Sequence, residues 1–370
     1  MNPRAVAVLV VLVLALGGGA LLLREQAASQ RPPASGTLGQ PLLKGLKAAE
    51  IAAIVIREPK ATLTLERKEA RWIIVERGGF PADLEKVRQF VLKAIELKIG
   101  QAEPIGEADR ARLQLDDKGT GVEFRGAGGK PLARLAVGRK YFKREPDNPE
   151  TARADGRFVQ LPGGEQTAYV VADPLPEASA KSADWIDRRS FQAEKLRALE
   201  LRYPDGERWR LERAADNADW KLEGLRPGER LDITRANSAT YSLGLLELAD
   251  VAPKDATPAD TGLDKPILVD ATTLDGLSYA IRVGRLAGEN YYVSFTPGGA
   301  LVKERLPEKG EKPADRESRD KEFTERIKKL EARLPLERQL SQHVLLVPRS
   351  KLEDTLKKRA GLLEKRDEKK

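Results

Sequence analysis

The chain contains itself twice. "EIAAIVIREP" at Glu50–Pro59 returns as "EKLRALELRYP" at Glu194–Pro204, with Ile51, Ile54, Ile56 and Pro59 falling on Leu196, Leu199, Leu201 and Pro204. "TLTLER" at Thr62–Arg67 matches "RWRLER" at Arg208–Arg213, and "ARWIIVE" at Ala70–Glu76 matches "ADWKLEG" at Ala218–Gly224. The spacing drifts from about 145 to about 148 residues, which two extra residues in the turn "ERAADNADW" explain, since surface turns tolerate insertion. A solenoid needs three or more short units, so two long ones mean duplicated domains.

Each copy continues into a helical pattern. "ADLEKVRQFVLKAIELKIG" places Leu84, Val87, Val91 and Ile95 on one face behind Asp83 as N-cap. The pattern predicts a helix over 83–99. Its counterpart, "ITRANSATYSLGLLELADV", reads with Thr234 as cap and with Tyr241 aligned to Phe90. Further on, "LQLDDKGTGVEF" and "ARLAVGRK" match "TGLDKPILVDA" and "YAIRVGRL". Alternating apolar residues (Leu63 and Leu65; Trp209 and Leu211; Trp72 and Ile74; Trp220 and Leu222) predict antiparallel strands with one wet face. Strands are expected over 51–57, 61–67, 71–77, 121–125, 132–138, 157–161 and 167–172. The fold class is therefore α+β: two tandem domains, each a mostly antiparallel sheet of about βββαβββ order with one covering helix. In this register Trp72 and Trp220 are equivalent core anchors, not a stacking platform.

The expected divisions are an N-terminal anchor at 1–29, a linker at 30–42, repeat domain 1 at 43–190 and the core of repeat domain 2 at 191–302. A charged helical insertion follows at 303–342, then the final strand and helix of repeat domain 2 at 343–370. "DPLPEASAKSADWIDRRSF", Asp173–Phe191, joins the copies and is expected to hold a helix carrying Trp185. The insertion's helix should run over 315–334 and stop at Pro335. An alternative alignment sets Ala300–Glu304 on Thr167–Ala172 and leaves the tail as an appendage. The helix has one narrow apolar stripe, Phe323, Ile327, Leu330 and Leu334. It reads either as a solvated helix laced by pairs such as Glu322/Arg326 and Glu325/Lys329, or as a stripe that docks on a partner helix.

"AVAVLVVLVLALGGGALLL", Ala5–Leu23, carries no charge. Nineteen residues at about 1.5 Å each span roughly 28 Å, close to a bilayer's apolar thickness. Its apolar run continues past the small residues Gly18–Ala20, which favours an uncleaved anchor over a signal peptide. Basic flanks are nearly balanced, so orientation rests on the large C-terminal body, taken as extracytoplasmic. The expected location is a bacterial inner membrane, crossed once through residues 5–23. "QRPPASGTLGQP", Gln30–Pro41, would stand the body off the surface.

Composition narrows the chemistry. With no cysteine, the chain has no disulfide, thiolate metal site or thiol nucleophile, and its one histidine, His343, cannot build a His cage or triad alone. The net charge of +8 comes from the ends: residues 44–302 hold 41 basic and 41 acidic residues, residues 303–370 hold 21 and 15. A neutral body with 5% aromatics argues against nucleic acid. "RGAGGK" at Arg125–Lys130 lacks the spacing of a phosphate loop and reads as a hairpin turn. Asp116/Asp117 and Asp260/Asp264 read as turn and cap residues more readily than as catalytic pairs. No catalytic, cofactor or metal-binding residue is expected.

An anchor, a linker and tandem copies marked by "RWIIVE"/"DWKLEG", "LQLDDKG"/"TGLDKP" and "LAVGRK"/"IRVGRL" resemble a bacterial family named only as a domain of unknown function. The second copy fits better, because Asp117–Lys118 without a proline replaces the usual turn in the first. Members are commonly encoded beside ABC-type export or gliding-motility-like transporter components. The resemblance implies a non-enzymatic, membrane-anchored accessory protein that works through protein–protein contacts with an ABC-type permease or other envelope proteins. The other expectations are an envelope scaffold binding peptidoglycan or polysaccharide through the wet sheet faces, and, less favoured, a carboxylate-based hydrolase.

Overall fold

A computed structural model describes residues 38–364 except 70, 165, 245 and 306–310. The anchor expected at 5–23 lies outside the described residues. Among those described, no helix is long and apolar enough to cross a membrane.

Alternating apolar residues pair as antiparallel ladders in two sheets. The first comprises β1 (Ala53–Glu58), β2 (Ala61–Lys68), β3 (Arg71–Ile74), β4 (Phe80–Pro81), β5 (Ile99–Pro104), β6 (Thr120–Arg125), β7 (Pro131–Tyr141), β8 (Gly156–Gln160) and β9 (Thr167–Val171). The second comprises β10 (Leu196–Arg202), β11 (Arg208–Glu212), β12 (Lys221–Leu222), β13 (Asp250–Val251), β14 (Ile267–Thr273), β15 (Leu277–Ala287), β16 (Asn290–Gly299) and β17 (Leu345–Pro348). Their orders are β4-β3-β2-β1-β6-β7-β8-β9-β5 and β12-β11-β10-β14-β15-β16-β17-β13. With the two-residue edge strand β4 set aside, the orders are the same. Registers agree as well: Ile54 faces Phe124 as Leu199 faces Ala271.

The helices are α1 (Leu84–Glu96), α2 (Glu107–Arg112), α3 (Ile233–Tyr241), α4 (Pro258–Thr261), α5 (Pro313–Leu340) and α6 (Arg349–Leu352). Asp83 caps α1 by accepting from the Glu85 and Lys86 N–H groups. In the second copy the cap is Asp232, accepting from the Arg235 N–H, and not Thr234. Cap-to-cap alignment puts Val87, Phe90 and Val91 on Ala236, Ala239 and Thr240, all buried. It moves Tyr241 from Phe90 onto Leu92, and both of these are exposed.

Other boundaries differ from the sequence reading. Helix α1 stops at Glu96, and β5 and β13, both unforeseen, return to pair with β9 and β17. The third strand is cut short by a 3-10 turn, Val75–Arg77. The link between copies holds a 3-10 turn, Ser182–Asp184, where a helix was expected; Trp185 beside it is buried. Helix α5 continues through Pro335 to Leu340. Pro335 lies on the exposed side, where the lost hydrogen bond is exchanged for solvent. Because β17 lies between β16 and β13, as β9 lies between β8 and β5, α5 occupies the β16–β17 connection.

The motif pairs share one geometry. Gln114 (φ 57) and Gly262 (φ 71) take the left-handed turn that follows α2 and α4. The carbonyls before them, Leu113 O and Thr261 O, press on Gly138 and Gly284, where a Cβ would come within 2.2 and 2.1 Å. That is why "LAVG" and "IRVG" end in glycine.

Two compact units form: one runs to Thr62 and includes Arg88–Ala180, the other is Leu63–Val87 with Lys181 onward. In the second unit, Arg77 pairs with Asp250 at 3.2 Å and Phe80 meets the His343 ring edge-on at 5.2 Å. His343, with its pKa lowered by burial, is thus a packing residue.

Candidate functional site

Helix α5 is rich in strong helix formers, and its stripe determines where it lies. Phe323 and Leu330 are buried within this chain, while Ile327 and Leu334 are half-buried. The expected docking stripe is therefore largely covered by the chain itself. Beyond Pro335 the same stripe continues to Glu337 and Leu340, both buried. Glu337 accepts from Tyr279 Oη at 2.9 Å and the Gln192 N–H at 3.3 Å, and pairs with Arg333 at 2.9 Å. Burial raises its pKa, against the pull of the Arg333 charge. Arg333 also donates to Gln192 O at 2.8 Å and meets Glu194 at 3.3 Å.

Two turns before Arg333, Arg326 pairs with the buried Asp275, at 2.6 Å, instead of Glu322, and Glu325 pairs with Lys328 instead of Lys329. The helix is a docked part of the second unit. Sequence reasoning missed Glu337 and Asp275. Glu337 had a signal, its spacing of three from Leu334 and seven from Leu330; Asp275, in a turn, had none.

Docking of α5 creates a cleft of about 800 Å³. Leu330 and Arg326 form one wall, the α3 residues Thr234, Asn237, Ser238 and Tyr241 another, and Lys195, Leu196 and Trp220 the floor and rim. Lys195 is held at φ 49, in the left-handed region that favours glycine. Trp220 is buried, with the Arg213 guanidinium 4.7 Å from its ring centroid. Trp72, its counterpart, is only half-buried. The two tryptophans hold matching places, Trp72 in β3 and Trp220 just before β12, but not matching environments.

In the first unit the outward sheet face carries a different cluster. Glu123, buried, accepts from Arg125 at 2.7 Å, from Arg134 at 3.0 and 3.1 Å and from Arg57 at 3.3 Å. Its pKa falls from 4.5 to about 2, led by the Arg125 hydrogen bond. The equivalent pair in the second copy is Asp270 with Arg202. A depressed carboxyl pKa contributes stability above pH 4.5 that is lost as pH falls toward about 2. Glu123→Gln should therefore unfold more readily at neutral pH and show a flatter loss of stability between those values, measured by denaturant melts across that range.

In each of the two acid pairs, one member has a turn or cap role. Asp116 accepts from the Lys118 N–H, and Asp260 closes a capping box with Thr257. Gly128 and Gly129 turn the β6–β7 hairpin in left-handed conformation, so "RGAGGK" is a turn. Among the described residues no group of three His, Cys, Asp or Glu side chains is placed to hold a metal.

Comparison with known families finds one match: a domain of unknown function, DUF4340, over residues 72–266, more than half of the chain. The chain belongs to this family. The DUF4340 match opens at Trp72 in β3 and closes at Pro266, just before β14, so it runs from inside the first copy to inside the second. It takes in both tryptophan strands and α3, but not α5. In this DUF4340 chain, the α5 wall of the cleft therefore lies outside the matched region. No curated protein and no solved structure matches the chain.

Proposed function

We propose that this DUF4340 chain is a non-enzymatic accessory protein of an ABC-type transport or gliding-like surface system, anchored in the bacterial inner membrane with its body outside the cytoplasm. The observation that carries it is the order of parts: nineteen uncharged residues at 5–23, a Pro/Gly/Ser linker, then one sheet built twice. The transporter association rests on the resemblance set out above, and the body acts through protein–protein contacts.

Two measurements test this. The tagged chain, extracted from native membranes in a mild detergent, should bring down a permease and an ATPase. Recovery of the chain alone, where other transporter complexes survive, would refute the association. N-terminal sequencing of the extracted protein should find residues 5–23 intact; a mature terminus beyond Leu23 removes the anchor.

A further inference from the structure

The cleft between α3 and α5 has a chemistry that the transporter reading does not use. Its charged groups cancel and are paired. Lys195 and Arg213 share Asp216 at 3.3 and 2.7 Å, Arg326 holds Asp275, and Glu194 is met by Arg333. A charged ligand would find each of these groups already facing a counter-charge, so the cleft offers it no net charge to bind.

What the cleft leaves unpaired is neutral. Thr234, Asn237, Ser238 and Tyr241 lie at i, i+3, i+4 and i+7 on α3, one face of the helix. No side-chain hydrogen bond is formed by any of them among the described residues. Tyr241 is 70% exposed, and its ring is the one accessible aromatic face, since Arg213 covers Trp220. From the opposite wall, the Arg326 guanidinium is turned to Asp275 at 2.6 Å, which leaves the α3 face as the polar surface of the cleft.

A fitting occupant is uncharged, both donates and accepts hydrogen bonds along its length and lays an apolar face on a tyrosine ring. We infer that this cleft binds a neutral oligosaccharide through the α3 face. Sugar hydroxyls donate and accept as Asn237, Ser238 and Thr234 do, and the C–H face of a pyranose suits Tyr241. The site is distinct from the sheet faces and stands whether or not a transporter associates; loss of either result leaves the other intact.

The test uses the full chain in a polyoxyethylene detergent, because maltoside head groups would compete. It is titrated by calorimetry with tetrasaccharides of α-linked glucose, β-linked glucose and N-acetylglucosamine. At least one should bind saturably, with an affinity unchanged between about 50 and 500 mM salt, as expected for an uncharged ligand. Tyr241→Ala combined with Asn237→Ala should weaken it about tenfold, while Tyr241→Phe retains most of the affinity. Both positions are exposed, and an unchanged melting temperature shows that the double variant is folded. The inference is overturned if none of the three sugars binds, or if the folded double variant binds as well as the parent. Saturable binding of an uncharged Gly/Ser peptide without any sugar, or affinity that rises steeply as salt falls, overturns it equally.

Discussion

Glu337→Leu should lower the stability of the chain by about 3–5 kcal/mol, seen as a fall in the denaturant midpoint. Glu337 has no solvent exposure and takes its three partners from two different elements and its own helix. Removing it leaves Arg333, 20% exposed, without its 2.9 Å partner, and Tyr279 Oη with only a 3.4 Å contact to Gln192 O. A charge left inside the fold with only the exposed Glu194, at 3.3 Å, to balance it is the costly outcome; an apolar side chain of similar size is not. Combining it with Arg333→Met should therefore recover most of the loss, because both charges then go together. If the double variant is as unstable as the single one, packing and not charge explains the effect.

The second large effect is expected at the motif glycines. Gly284→Ala and Gly138→Ala should each cost about 3 kcal/mol, the upper end of what overpacking does. At Gly284 a Cβ would come within 2.1 Å of Thr261 O, and at Gly138 within 2.2 Å of Leu113 O and 2.9 Å of Leu115 Cδ2. Backbone blocks both sites, so no rotamer change relieves them. Gly106→Ala is the control: nothing lies within 4 Å of its Cβ and its φ is −95°. Because Gly106 is the N-cap of α2, its replacement should cost no more than about 1 kcal/mol, well below the other two. Thermal melts of the three variants decide the matter, and equal losses at Gly106 and Gly284 would refute the steric account.

These glycines show which parts of the fold were legible. Local alternation named most of the strands, because a half-buried strand records its two faces in its own residues. The duplication was legible because each copy carries the same alternation in the same order. Strands β5 and β13 were not, since Ile99–Pro104 buries only Ile99 and Ala102, three apart instead of two, and Asp250–Val251 is two residues long. Their pairing partners, β9 and β17, lie far along the chain and decide their fate. Pro335 misled in the other direction: a rule about lost hydrogen bonds ended the helix where burial of Leu340 and Glu337 extends it. The cleft was invisible for a related reason, as its walls come from segments about 85 residues apart or more and meet only when α5 docks. Trp72 and Trp220 bound the other limit, for alternation gave their strands but not how deeply each ring is buried.

The placement of α5 in the β16–β17 connection also sets a clock on synthesis. In the first copy, β8 and β9 are separated by only the six residues 161–166, so the sheet can close almost as soon as β8 has formed. In the second, β16 ends at Gly299 and its neighbour begins at Leu345. A ribosome or translocon working at about 5–20 residues per second needs roughly 2 to 9 s to deliver residues 300–344. For that interval β16 has an open edge, and β13 waits for its only neighbour. Any factor that shields nascent sheet edges would thus be needed for longer by the second copy than by the first.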